Sequence, residues 1–151
     1  MKLKQGIIKK LTENLDQEYG CIYDSYKTRI YELQKNKIII VTKERAKYEY
    51  YKYALEYGFV HIPKIYDLVR DVINGVYVIQ REELYPITDH KKLTRLEIVQ
   101  NALRNDAEIN DKIVKEVLQF YDDTDYSFDF GPHCFMQTKN GKIVVSDIFK
   151  D

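Results

Sequence analysis

Asp129, Cys134 and Asp147 are the residues whose types and spacing point most directly to chemistry. Asp129 falls in a loop after a long helical pattern, Cys134 follows five positions later, and Asp147 closes a strand thirteen residues beyond that. Between the last two, residues 135–147 read as a β-hairpin turning at Asn140-Gly141, a dipeptide that accepts the left-handed backbone of a tight turn. Two carboxylates placed this way suit phosphoryl transfer. That reaction asks little covalent chemistry of a protein: one carboxylate accepts the proton of the attacking hydroxyl, and others hold Mg2+ against the phosphates. His133 adds no second chemistry. Neighbouring residues in an extended loop point apart, so its imidazole is badly placed to activate the Cys134 thiol.

The elements that must position these residues follow from periodicity. Leu3, Ile7, Ile8, Leu11 and Leu15 recur at helical spacing and predict an amphipathic helix over 3–15. Residues 20–34 read as one or two strands rich in Tyr, Ile and Thr, and a polar turn at 34–37 leads into Ile38–Thr42, apolar enough for burial on both faces. A helix is expected over 44–57, ended by Gly58, then strands over 61–71 and 75–84 joined at Asn74-Gly75. Two more helices are expected. The first, over 89–106, turns Leu93, Leu96, Ile98, Val99 and Leu103 inward. The second, over 107–123, does the same with Ile109, Ile113, Val114, Val117, Leu118 and Phe120. Strands with one embedded helix, then mostly helices, describe a single α+β domain of two unequal lobes. A sheet-rich part covers about 1–85, and helices, loop and hairpin cover 86–151.

Composition bounds the partners. The 151 residues carry 24 Lys+Arg against 24 Asp+Glu, which removes the simplest electrostatic case for nucleic acid. Lys/Tyr interleaving in 43–53 is the one feature in its favour, and nearby glutamates dilute it. No apolar run is long enough to span a membrane. The first 17 residues break their apolar positions with charge, unlike a secretory leader, so the cytosol is expected, or a host cytosol for a phage-encoded chain. Cys21 and Cys134, and His61, His90 and His133, are too dispersed for a structural zinc site, and both cysteines are expected as buried thiols. There are fourteen tyrosines and no tryptophan, with Tyr48, Tyr50, Tyr51, Tyr53 and Tyr57 crowded together. An edge-packed helix is the simpler account of that crowding, and a binding surface is the alternative.

The run from Asp129 to Met136, then Asn140 to Asp147, resembles the D-x-H-x-x-N-F-M … G-x-x-V-x-x-D segment of small bacterial and phage proteins of the protein-kinase-like superfamily, relatives of aminoglycoside phosphotransferases and minimal Ser/Thr-kinase-like proteins. The resemblance spans roughly residues 19–151. It implies a minimal kinase-like fold: an antiparallel N-lobe sheet with one inserted helix, then a short helical lobe ending in the hairpin. Asp129 would then be the base and Asp147 the Mg2+ ligand, with Cys134 at the usual Asn position. Glu49 falls where the family's helix glutamate stands. Ile62 to Tyr66 is similar to the lead-in to the fourth strand, and the resemblance would place Glu82, Glu83 and Leu84 at the adenine-contacting hinge. ATP and Mg2+ are the implied cofactors.

Four departures weigh against catalysis. The G-x-G-x-x-G loop is absent, Gly20 standing alone. The strand lysine is replaced by Ile40, leaving Lys37 or Lys43 to substitute from the strand ends. A soft thiol at Cys134 stands where Mg2+ prefers hard oxygen. The sequence runs only four residues past Asp147, without an activation segment or a substrate platform. The leading expectation is therefore a non-catalytic, pseudokinase-like protein, phage- or mobile-element-encoded, that modulates a partner protein such as a host enzyme. The alternative is a minimal ATP/Mg2+-dependent phosphotransferase using Asp129 and Asp147.

Overall fold

The β-branched run Lys37–Thr42 organises the molecule. In the computed structural model, which describes residues 21–24, 27–34 and 36–151, this run is strand β3 of a five-stranded antiparallel sheet. The other members are β1 (Cys21–Asp24), β2 (Thr28–Gln34), β4 (Ile65–Asp71) and β5 (Val76–Glu82), in the order β1-β2-β3-β5-β4. Because side chains alternate along a strand, β3 feeds two apolar layers. Ile38 and Ile40 join Ile79 in the main core, while Ile39 and Val41 join Tyr31, Val69 and Val78 on the opposite face. The helix expected over 3–15 lies outside the described residues.

Helix α1 (Arg45–Glu56) runs between β3 and β4 and buries Ala46, Tyr48, Tyr50, Tyr51 and Ala54, so most of the tyrosine cluster is core. Tyr57 follows at its C-cap, 54% exposed, and Gly58 (φ +68°) reverses the chain. Helices α2 (His90–Arg104) and α3 (Lys112–Asp123) come next, then β6 (Ser127–Phe128), β7 (Phe135–Gln137), β8 (Ile143–Val145) and β9 (Phe149–Lys150). β7 pairs with β8, and β6 with β9. The protein is a small α+β domain, and no helix among the described residues is long and apolar enough to cross a membrane.

Several expectations need correction. On α2, Leu96, Val99 and Leu103 are buried with Ala102, whereas Leu93 and Ile98 are exposed. At 3.6 residues per turn these two flank the buried stripe on opposite sides. α3 begins at Lys112 rather than 107, because the Asp111 side chain accepts the Ile113 N–H and fixes the N-cap there. β4 begins at Ile65 rather than 61: the Val60 and His61 N–H groups are taken by Glu116 of α3 instead of a ladder. Cys21 is exposed at the start of the sheet's outer strand, whereas Cys134 is buried.

The closing segment is tied to α1 along its length. Glu44, at the N-cap of α1, makes no side-chain cap. Asp151 supplies one from the far end of the sequence, Oδ2 accepting from Arg45 N at 2.9 Å and Oδ1 from Ala46 N at 2.6 Å. A carboxylate there satisfies two orphan donors and meets the positive end of the helix dipole. Asp151→Ala should therefore lower stability by about 1–2 kcal/mol, with Asp151→Asn losing less. Equal denaturation midpoints for wild type and Asp151→Ala would refute the cap.

Candidate functional site

Asp129 leaves β6 and is held by its own N–H, which donates to Ile148 O at 2.8 Å. Cys134 precedes β7, and its carbonyl accepts Ser146 N at 2.8 Å, which brings Asp147 alongside the Asp129–Cys134 loop. Asp129 and Asp147 line one cleft of about 390 Å3, together with Lys27 from the β1–β2 connection, Lys43 and Glu44 before α1, and Lys150 and Asp151. Lys27 and Lys43 are joined by a backbone hydrogen bond, Lys43 N to Lys27 O at 2.8 Å. Four acidic residues and three lysines therefore line this cleft.

The Cys134 thiol does not add a ligand to this set. Its Sγ accepts Gly131 N at 3.0 Å and donates to Asp129 O at 3.3 Å, so it staples the loop from within. Burial raises its pKa, which keeps it a neutral thiol. Asp147 is already engaged as well, with Lys47 of α1 placing Nζ 3.6 Å from its Oδ2. Among the described residues no three His, Cys, Asp or Glu side chains gather closely enough to share a metal ion. A thiol turned inward and a carboxylate facing an ammonium do not fit Mg2+, which needs hard oxygen donors in a strict geometry.

The other expected residues lie elsewhere. Glu49 pairs with Arg45 at 3.4 Å and lines a separate groove of about 640 Å3 with Lys52, Tyr53 and Tyr126. Glu82 accepts Lys64 N at 2.6 Å, and its own N–H donates to Lys64 O. Glu83 N donates to Asn36 O at 3.2 Å, and Leu84 is buried. Tyr85 and Gln137 exchange two backbone hydrogen bonds, fastening 82–85 to β7. None of these residues lines the Asp129/Asp147 cleft. Of the two lysines offered in place of a strand cation, Lys43 reaches the cleft. Lys37 instead lies 4.4 Å over the Tyr66 ring, and Ile40 is fully buried.

Two cations went unnoticed in the sequence. Lys47 has 11% of its side chain exposed, and burial, followed by the charge of Arg81, lowers its pKa against the pull of Asp147 and Glu44. Arg81 of β5 is 6% exposed; Nη1 donates to Glu82 O at 2.7 Å while Nε is buried without a partner. Tyr51 closes the corner, its hydroxyl donating to Ser146 O at 3.3 Å. The signal for Lys47 was present. It stands at i−4 from Tyr51, on the inward register of α1, and a charge on an apolar stripe requires a partner.

No family model matches this sequence, and neither a curated protein nor a solved structure matches it.

Proposed function

We propose that this chain is a non-catalytic, kinase-like binding protein whose cleft holds a phosphate-bearing ligand and whose role is to modulate a partner protein. The helix inserted between the third and fourth strands supports the kinase-like reading. So does the stretch from β5 through 82–86 into helices, followed by a loop and hairpin that bring Asp129 and Asp147 to one cleft. The observation that carries the non-catalytic part is the engagement of Asp147 by Lys47, beside a Cys134 thiol bonded to its own loop. A metal that must bridge the phosphates then lacks its protein ligands.

The test is phosphate release from ATP with Mg2+, in wild type and in Asp129→Ala and Asp147→Ala. Indistinguishable background rates in all three are expected. Mg2+-dependent release abolished by either substitution in a folded protein would sink the proposal and establish the second reading, a minimal phosphotransferase with Asp129 as base. That second reading is favoured by one observation, the placement of both carboxylates in a cleft that also holds Lys27 and Lys43.

A further inference from the structure

A groove of about 570 Å3, sharing no lining residue with the Asp129/Asp147 cleft, gathers positive charge from three parts of the sequence. The start of α2 supplies Lys91, Lys92 and Arg95, the β7–β8 turn supplies Gly141 and Lys142, and Val60 and His61 close the third side. No carboxylate stands among its described lining residues. Pairing with neighbours removes only part of the charge. Arg95 is committed to Asp111, donating from Nε at 3.0 Å and from Nη2 at 3.3 Å. His61 Nδ1 lies 2.9 Å from Glu116 Oε1, so the imidazole adds no unmatched charge. The lysines differ. Lys92 donates to Gly141 O at 2.6 Å and to Gln137 Oε1 at 3.3 Å, and Lys142 donates to Ile62 O at 3.3 Å. Neutral oxygens thus hold both ammonium groups in place without cancelling them. An ammonium has three donors, which leaves one on Lys92 and two on Lys142 for a ligand. Lys91 is exposed and pairs with no carboxylate among the described residues.

We propose that this groove docks an acidic segment of a partner protein, its carboxylates meeting Lys91, Lys92 and Lys142. In a chain whose total charge is zero, such a local excess draws in and orients a partner of opposite sign. Three features select carboxylates on a protein over other anions. The one arginine of the lining is already paired with Asp111, so the planar fork that grips a phosphate is taken and point charges remain. The overall charge balance provides no extended basic track for a nucleic-acid backbone, whereas a few adjacent carboxylates fit within one groove. Val60, 49% exposed on the third side, offers an apolar contact that a bare polyanion would leave unused. The inference goes beyond the cleft reading and stands whether or not the cleft takes a phosphate.

Fluorescence anisotropy of a labelled peptide, six glutamates around one leucine, titrated with the full chain tests it. Lys91→Glu is the variant of choice, because a glutamate in the first turn of α2 suits the helix dipole and leaves the fold intact. Lys52→Glu, on α1 and lining a different groove, makes the same change of net charge elsewhere. Binding should weaken about tenfold or more between ~0.05 M and ~0.5 M salt. It should weaken about fivefold in Lys91→Glu, further when Lys142→Glu is added, and less than about twofold in Lys52→Glu. Asp129→Ala and Asp147→Ala should bind the peptide like wild type, which separates this groove from the cleft. Equal weakening by Lys52→Glu and Lys91→Glu would reduce the effect to net charge and overturn the proposal, as would loss of binding in either cleft variant. Tripolyphosphate that displaces the label at lower concentration than the unlabelled peptide does, through the same lysines, would overturn the assignment to an acidic protein segment. Absence of peptide binding at low salt would overturn the proposal outright.

Discussion

Phe120→Ala is expected to cost about 3–5 kcal/mol and to lower the melting temperature by roughly 10–15 °C. Phe120, 1% exposed on α3, is where three elements meet. Its ring lies 5.0 Å from Tyr50 and 5.3 Å from Tyr53, both edge-on from α1, and 4.7 Å from Phe149 of β9. Tyr126 stacks on it at 5.8 Å. Rings in these arrangements gain about 0.5–1.5 kcal/mol per pair beyond their buried area, and the pairs here share one ring, so the gains do not add. Removing the ring leaves a cavity with aromatic walls that cannot collapse onto methyl-sized alanine. Phe120→Leu, which keeps most of the volume, should lose less than half as much. Urea denaturation at unchanged slope measures both, and equal losses for the two variants would contradict the account. The consequence extends to the cleft, since Phe149 follows Asp147 by two residues and loosening its seat releases the segment that holds that carboxylate.

Legibility in the sequence was greatest where the determinants are local. The β3 run, the turns at Asn74-Gly75 and Asn140-Gly141, and the helix ended by Gly58 all follow from a few adjacent residues. Gly75 and Gly141 adopt φ of +66° and +85°. At Gly141 the positive φ is the constraint, since the nearest atom to an added Cβ, Lys92 Nζ at 3.0 Å, is the end of a flexible side chain that can give way. The spacing of Asp129 and Asp147 was readable for the same reason, as a short hairpin lies between them. Kinase-like identity was read from that spacing and from element order, and it remains a proposal.

What could not be read is where elements from distant parts of the sequence meet. Glu49 and Lys47 differ by two positions, which on a helix sends them to nearly opposite faces; only the packing of α1 decides which one reaches Asp147. Arg81 sits among the alternating residues of β5, and nothing local says that its side chain is buried with its Nε unpartnered. The Asp151 cap joins residues more than 100 positions apart. Leu93 and Ile98 match an apolar pattern yet stay exposed, because the pattern is wider than the stripe α2 has room to bury. Interactions that depend on tertiary contact therefore set the surroundings of Asp147.

Glu116→Gln should lower stability by about 2–3 kcal/mol at neutral pH, and the loss should shrink as the medium is acidified. Glu116, in the middle of α3 and 5% exposed, accepts three hydrogen bonds from one short stretch: Val60 N, His61 N, and His61 Nδ1 at 2.9 Å. Burial pushes its pKa up, but the His61 side chain and the two backbone N–H groups outweigh that and leave it below the usual carboxylate range. A carboxyl with a depressed folded-state pKa stabilises the fold fully above its unfolded value, about 4.3. That stabilisation is lost as pH falls through the folded value. Asp111 behaves alike: burial raises its pKa, and Arg95 with the N–H groups of Ile113 and Val114 brings it below normal. Wild type should thus lose stability below about pH 4.5, and Glu116→Gln should lose less of it, with the remainder carried by Asp111. Parallel pH profiles for the two proteins would show that Glu116 is not the group responsible. The clamp also reaches the cleft, since His61 O accepts Val145 N at 2.9 Å, two residues before Asp147. Glu116→Gln should therefore also loosen the strand that leads to Asp147, a positioning effect that disappears when the clamp is already protonated in acid.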